Sequence, residues 1–200
     1  MLSADKEFRI CVLVIALLGA FAIPAAAKAA TGPEAFFEGA QKRLVAIART
    51  AEGGRRSACN ALILDVFDAR ALARKVASAA HWSIMRPDTR EELTRAVAGR
   101  LGRECLALVE RADPALARIG RTRMAEGGAR LTVLMPDERG TERVVVWSLR
   151  TGGRFGWTAT DLSLDGRSAS ATYHQDFENA LAARSTINDA VAYFAVLGAR

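Results

Sequence analysis

Apolar side chains recur every three or four residues through the first half of the chain and every second residue through much of the second half. That pattern predicts helices, then strands, then helices again. Pro33 and Glu34 open a first helix whose stripe is Phe36, Ala40, Leu44 and Ile47, with Gly53-Gly54 as its predicted end. A second stretch carries Cys59, Leu62, Ile63, Val66 and Phe67, and Asp68 caps a third that runs through Leu72, Val76 and Ala79 toward Trp82. Pro87 sits where a first helical residue is favoured. Asp88, Glu91 and Glu92 follow in the electropositive first turn, and Leu93, Val97, Leu101, Cys105 and Leu108 form one long stripe that ends before Asp113-Pro114.

Beyond Gly127-Gly128 the period changes to two. Leu131, Val133 and Met135 mark one strand, and the turn residues 136–140 lead into a second over Glu142 to Leu149. Thr151-Gly152-Gly153 turns the chain into Trp157 to Leu164, and Asp165-Gly166 predicts a tight hairpin into a short fourth strand, Ser168 to Thr172. Tyr173, Phe177, Ala180 and Leu181 begin a returning helix. Ser185 caps a last one through Ile187, Val191 and Phe194. The order specifies an α+β fold with N-terminal helices, an antiparallel sheet of about four strands and C-terminal helices. In the second strand Val145, Trp147 and Leu149 alternate with Val144 and Val146, so both faces are apolar and both are expected to be covered.

The first thirty residues carry Lys6 and Arg9 before an apolar run from Ile10 to Ile23, then Pro24 and small residues. This is the layout of a cleavable export signal, with cleavage after residue 27 or 29, and it divides the chain into residues 1–29 and a single domain over 30–200. An exported chain meets an oxidising compartment, and two readings of Cys59 and Cys105 stand open: a disulfide, or two buried thiols packed as small hydrophobes.

Composition then narrows the chemistry. Half of the 200 residues are apolar, a quarter are charged and the formal net charge is +6, almost all of it from Arg, since only Lys6, Lys28, Lys42 and Lys75 are lysines. Three Cys are too few for a disulfide scaffold or a four-ligand zinc site. Arg is scattered among Asp and Glu and aromatics are sparse, which argues against a nucleic-acid surface and leaves a solvated surface, acidic lipid headgroups or an acidic partner. No phosphate-binding glycine loop, nucleophile elbow, paired Cys motif or His pair at helical spacing is present. No catalytic residue, metal site or cofactor is expected. The competing enzyme reading would use His174 with an acidic partner, meeting Asp161 or Ser170 across the sheet edge.

The order of short features resembles a known family. Phe67-Asp68, the helix from Ala73 to Trp82, Pro87 with Arg90, the strand Trp157 to Asp161, the turn Leu164-Asp165-Gly166-Arg167-Ser168, and Tyr173 with Gln175-Asp176-Phe177 are similar to the MlaC (toluene-tolerance) family of periplasmic phospholipid-binding proteins. The likeness runs from about Pro33 to Leu197. Departures include Arg167, Ala169, Ala171 and His174. The resemblance implies a curved sheet wrapped by helices around an apolar cleft, with phospholipid as cargo. It also implies a carrier rather than an enzyme. The implied partners are the lipid-binding ring subunit of an inner-membrane ABC transporter and an outer-membrane lipoprotein complex. Trp82, Val97, Leu101, Val133, Val145, Trp147 and Phe177 are the expected cleft residues, because each lies on an apolar face of an element that the resemblance places around it. A hopanoid or other isoprenoid cargo, and an adaptor with a solid core and no ligand, are the alternatives.

Overall fold

The computed structural model describes residues 32–197. The predicted export signal and its cleavage site lie outside the described residues. Five helices come first: α1 (Pro33–Ala48), α2 (Glu52–Val66), α3 (Ala69–Val76), α4 (Ser78–Ile84) and α5 (Pro87–Arg111). A 3-10 turn, Pro114–Leu116, leads into β1 (Arg118–Ala125), β2 (Gly128–Pro136), β3 (Glu142–Thr151), β4 (Trp157–Leu164) and the two-residue β5 (Arg167–Ser168), followed by α6 (Ala169–Ala182) and α7 (Ile187–Leu197). The strands pair in sequence order as one antiparallel meander. The fold is α+β.

Local chemistry explains most boundaries. Asp68 caps α3 by accepting from the Ala71 N–H at 2.8 Å, and Pro87 opens the 25-residue α5. Cys59 on α2 and Cys105 on α5 form a disulfide with Cα atoms 5.8 Å apart, closing 46 residues of sequence. Gly102 lets the same two helices approach closely: a Cβ there would fall 2.0 Å from Asn60 Oδ1.

Four expected element boundaries need correction. Gly53-Gly54 does not end the first helix; both residues lie in the opening turn of α2, where glycine's helical penalty is smallest because the backbone there is still half free. The helix expected to run from Asp68 toward Trp82 is broken at Ser78, whose φ of 62° is left-handed, so α3 and α4 are separate. Ser168 to Thr172 is not a strand. Asp161 Oδ1 accepts from the Ser170 N–H at 3.1 Å, and Ser168 Oγ accepts from Ala171 N–H at 3.2 Å, so strand pairing stops after two residues and α6 begins. Thr186 rather than Ser185 caps the last helix, accepting from Asp189 N–H at 3.1 Å. The sheet also gains β1, which the hydrophobic pattern does not reveal because half of its residues, Arg118 to Ala125, are polar and Ile119 and Met124 are its large apolar side chains.

Among the described residues, the helices cover only one face of the sheet. Ala129, Leu131 and Val133 on β2 and Val145, Trp147 and Leu149 on β3 point into the buried core, whereas Arg130, Thr132, Leu134, Val144, Val146 and Ser148 point outward. The expectation that both faces of β3 are covered therefore fails. Val144 stands 39% exposed and Val146 is half-buried, so the outer face keeps its apolar strip in contact with solvent.

Candidate functional site

The inner face of the sheet and the helices do not close completely. A cleft of about 310 Å³ lies between α1, the C-terminal half of α5, the 3-10 turn and the inner faces of β2, β3 and β4. Its walls are apolar: Phe37 and Leu44 from α1, Ala107 and Leu108 from α5, Pro114 and Ala117 from the turn, and Val133, Met135, Val145, Trp147, Leu162 and Leu164 from the sheet. The polar wall groups are Gln41 and Glu104. Gln41 is occupied structurally, since its Nε2 donates to Pro114 O at 2.9 Å and Ala117 O at 2.7 Å and fastens the 3-10 turn to α1.

Trp147 forms the inner end. Phe36 and Phe37 meet its indole edge-on with centroids 6.2 Å away, and Phe67 lies tilted at 5.6 Å. At the other end the cleft widens into a concavity of about 500 Å³ that shares Ala107, Leu108, Met135 and Leu164 with it. This mouth carries Arg111, Arg139 and Arg143 with Asp137 and Glu138. Arg143 is held by Asp165, with Nε 2.5 Å from Oδ2, and also reaches Asp137 at 3.8 Å. The site is thus a greasy slot with a charged lip. Apolar walls with few polar groups exclude water and attract hydrocarbon in proportion to the area buried.

Three of the seven predicted cleft residues, Val133, Val145 and Trp147, line this slot. The other four do not. Val97, Leu101 and Phe177 are sealed in the helical core, where α5 packs on α2, α3 and α7. Trp82 faces a separate groove between α3 and α4, flanked by Arg70 and Arg90, whose guanidiniums lie 5.8 and 5.6 Å from its ring. The sequence pattern places all four on apolar stripes, and a stripe does not distinguish residues facing another helix from residues facing a gap. Lining residues outside the predicted set include Phe37, Leu108, Met135, Leu162 and Leu164. Of these, Leu108 and Met135 are visible in the sequence as members of an apolar stripe and an alternating strand.

His174 is engaged elsewhere. His174 Nδ1–H donates to the Val76 carbonyl at 2.7 Å, and Glu178 lies 3.8 Å from the same nitrogen. Asp161 is occupied by Ser168 and Ser170, whose hydroxyls donate at 3.1 and 2.5 Å. The expected meeting of His174 with Asp161 or Ser170 is replaced by these contacts. Next to Glu104, Tyr173 is buried beneath Arg100, whose guanidinium lies 4.2 Å from the ring and 2.6 Å from Asp176. Burial first and the Glu104 carboxylate second push the phenol far above its ordinary range, so it stays protonated. Among the described residues no group of three His, Cys, Asp or Glu could hold a metal ion.

Comparison with known proteins adds two findings. A family model described as MlaC protein matches residues 41–194. Among solved structures, the phospholipid-binding protein from Ralstonia solanacearum, determined in complex with a phospholipid, is similar with a TM-score of 0.68; it is 16% identical, and the match covers 83% of this chain and 98% of that one. No curated protein matches the sequence. At that identity the structural likeness concerns the fold.

Proposed function

Because the chain belongs to the MlaC family, we propose that it is a periplasmic lipid carrier that holds phospholipid acyl chains in the cleft around Val133, Val145 and Trp147 and shuttles them between membranes. The observation that carries this reading is the slot itself: an almost wholly apolar gap, open at one end to a charged lip, in a fold shared with a protein solved with phospholipid bound.

No bond needs to be broken. Moving roughly thirty methylenes through water costs on the order of 24 kcal/mol at about 0.8 kcal/mol each, whereas transfer from a bilayer to an apolar slot is nearly neutral. The protein replaces water around the chains, and the charged lip leaves the polar headgroup at the surface. Partners in this reading are an inner-membrane ABC transporter, through its lipid-binding ring subunit, and an outer-membrane lipoprotein complex. They and their energy source set the direction of transport.

The test is mass spectrometry of the lipid extracted from the protein after detergent-free purification from its own host, beside an unrelated periplasmic protein. Near-stoichiometric phospholipid supports the proposal. An isoprenoid in its place moves the cargo to another lipid class, and an extract no richer than the control refutes the carrier reading.

A further inference from the structure

The outer face of the sheet lies on the opposite side from the cleft, and the charge left unpaired on its strands is one-sided. Arg121 and Arg123 on β1 and Arg130 on β2 all point outward, because their pairing partners Thr132, Arg130 and Arg123 are outward positions of the alternating strands. Arg123 and Arg130 stand directly opposite each other. Like charges so placed destabilise a sheet. Among the described residues none of the three forms an ion pair, whereas neighbouring Arg118 is paired with Glu142 and Arg150 with Asp68. Glu126, in the β1–β2 turn, makes no ion pair with them. Beside the arginines runs the apolar strip Leu134, Val144 and Val146, uncovered by any helix among the described residues.

We propose that this open face of β1, β2 and β3 docks on an anionic lipid surface, with Arg121, Arg123 and Arg130 on headgroup phosphates and the apolar strip against the interface. Guanidinium presents a planar fork of donors that matches phosphate, and a broad face mixing basic and apolar groups suits the boundary between headgroups and acyl chains. A strand from another protein is a poorer occupant of this edge. The ladder of β1 is irregular between Ile119 and Arg121, and its exposed charges oppose strand addition. The inference does not depend on cargo in the cleft.

The test uses the protein purified from its own host without detergent and vesicles of phosphatidylglycerol mixed with phosphatidylcholine, against vesicles of phosphatidylcholine alone. The wild type is expected to co-sediment with the anionic vesicles at about 0.01 M salt and to lose this at about 1 M, where the Debye length falls from about 30 to about 3 Å. The triple variant R121Q/R123Q/R130Q is expected to bind on the order of a hundredfold more weakly, about fivefold for each Arg. A second triple, R49Q/R74Q/R95Q, changes net charge equally on the helical side and is expected to bind like the wild type. Thermal unfolding checks that both variants fold, and extracted lipid measured in the same samples reports the cleft separately. The proposal is overturned if the wild type ignores anionic vesicles, if both triples weaken together, or if neither does.

Discussion

Val145→Gln separates a cleft wall from an ordinary core position. Val145 is 8% exposed, and its exposed part lines the slot between Val133 on one neighbouring strand and Leu164 on the other, its register partners. In the empty protein the Gln amide can turn into the slot and meet water, so stability falls little. With an acyl chain in place the same amide is buried against hydrocarbon without a partner, at a cost of about 1–3 kcal/mol. Lipid affinity is therefore expected to drop about 5- to 150-fold while the midpoint of urea unfolding moves little. Val97→Gln is the contrast. That side chain is 0% exposed in the helical core, its amide finds no water in either state, and the variant is expected to unfold at much lower urea. The assay is the lipid-to-protein ratio by mass spectrometry beside urea unfolding for both variants. A folded Val145→Gln protein that keeps its full complement of lipid would refute the reasoning, and so would lipid loss that merely tracks unfolding in both.

Reducing the Cys59–Cys105 bridge, or replacing both residues by Ser, is expected to cost up to about 4 kcal/mol in the chain-entropy account for a 46-residue separation; an unchanged urea midpoint with and without dithiothreitol would exclude it. Ser78→Gly is expected to raise stability by up to about 1 kcal/mol in thermal unfolding, because Ser78 holds a left-handed φ of 62° that glycine adopts without a Cβ clash. Asp68 is expected to make stability fall in acid. Burial opposes its ionisation, but the Ala71 N–H and the Arg150 guanidinium, 2.5 Å away, outweigh burial and hold the carboxyl below its ordinary range. A depressed folded pKa gives stability that is present above the unfolded value, about 3.9, and is lost as pH falls toward and through the folded one. Asp68→Asn keeps the helix cap but not the charge, so the decrease in urea midpoint from pH 7 to pH 3 should be smaller than in the wild type; equal decreases would remove Asp68 as a source.

The elements were legible where the code is local. Pro87 and the stripe through Leu93, Val97 and Leu101 announced α5, Asp68 announced the start of α3, and Asp165-Gly166 announced the turn after β4. β1 was not legible, since an edge strand with a solvated outer face carries Arg121, Arg123 and Met124 where a buried strand would carry alternating Val and Ile. Ser168 to Thr172 misled for the opposite reason. Its local pattern suits a strand, and the hydrogen bonds from Ser168 and Ser170 to Asp161 decide that it starts a helix.

The sequence by itself determined the α+β order, the antiparallel pairing and the apolar character of Val133, Val145 and Trp147, because period, caps and turn residues act over a few neighbours. Only the tertiary structure decided that Val97, Leu101 and Phe177 fill a solid helical core, that Trp82 turns to a separate groove, and that Leu108, Leu162 and Leu164 complete the slot. The physical reason is that hydrophobicity drives a side chain out of water without specifying what it meets. Whether an apolar face is closed by another helix or left as a gap depends on how α1, α5 and the sheet are held apart. Contacts distant in sequence do that, such as Gln41 on the 3-10 turn and the bridge between α2 and α5.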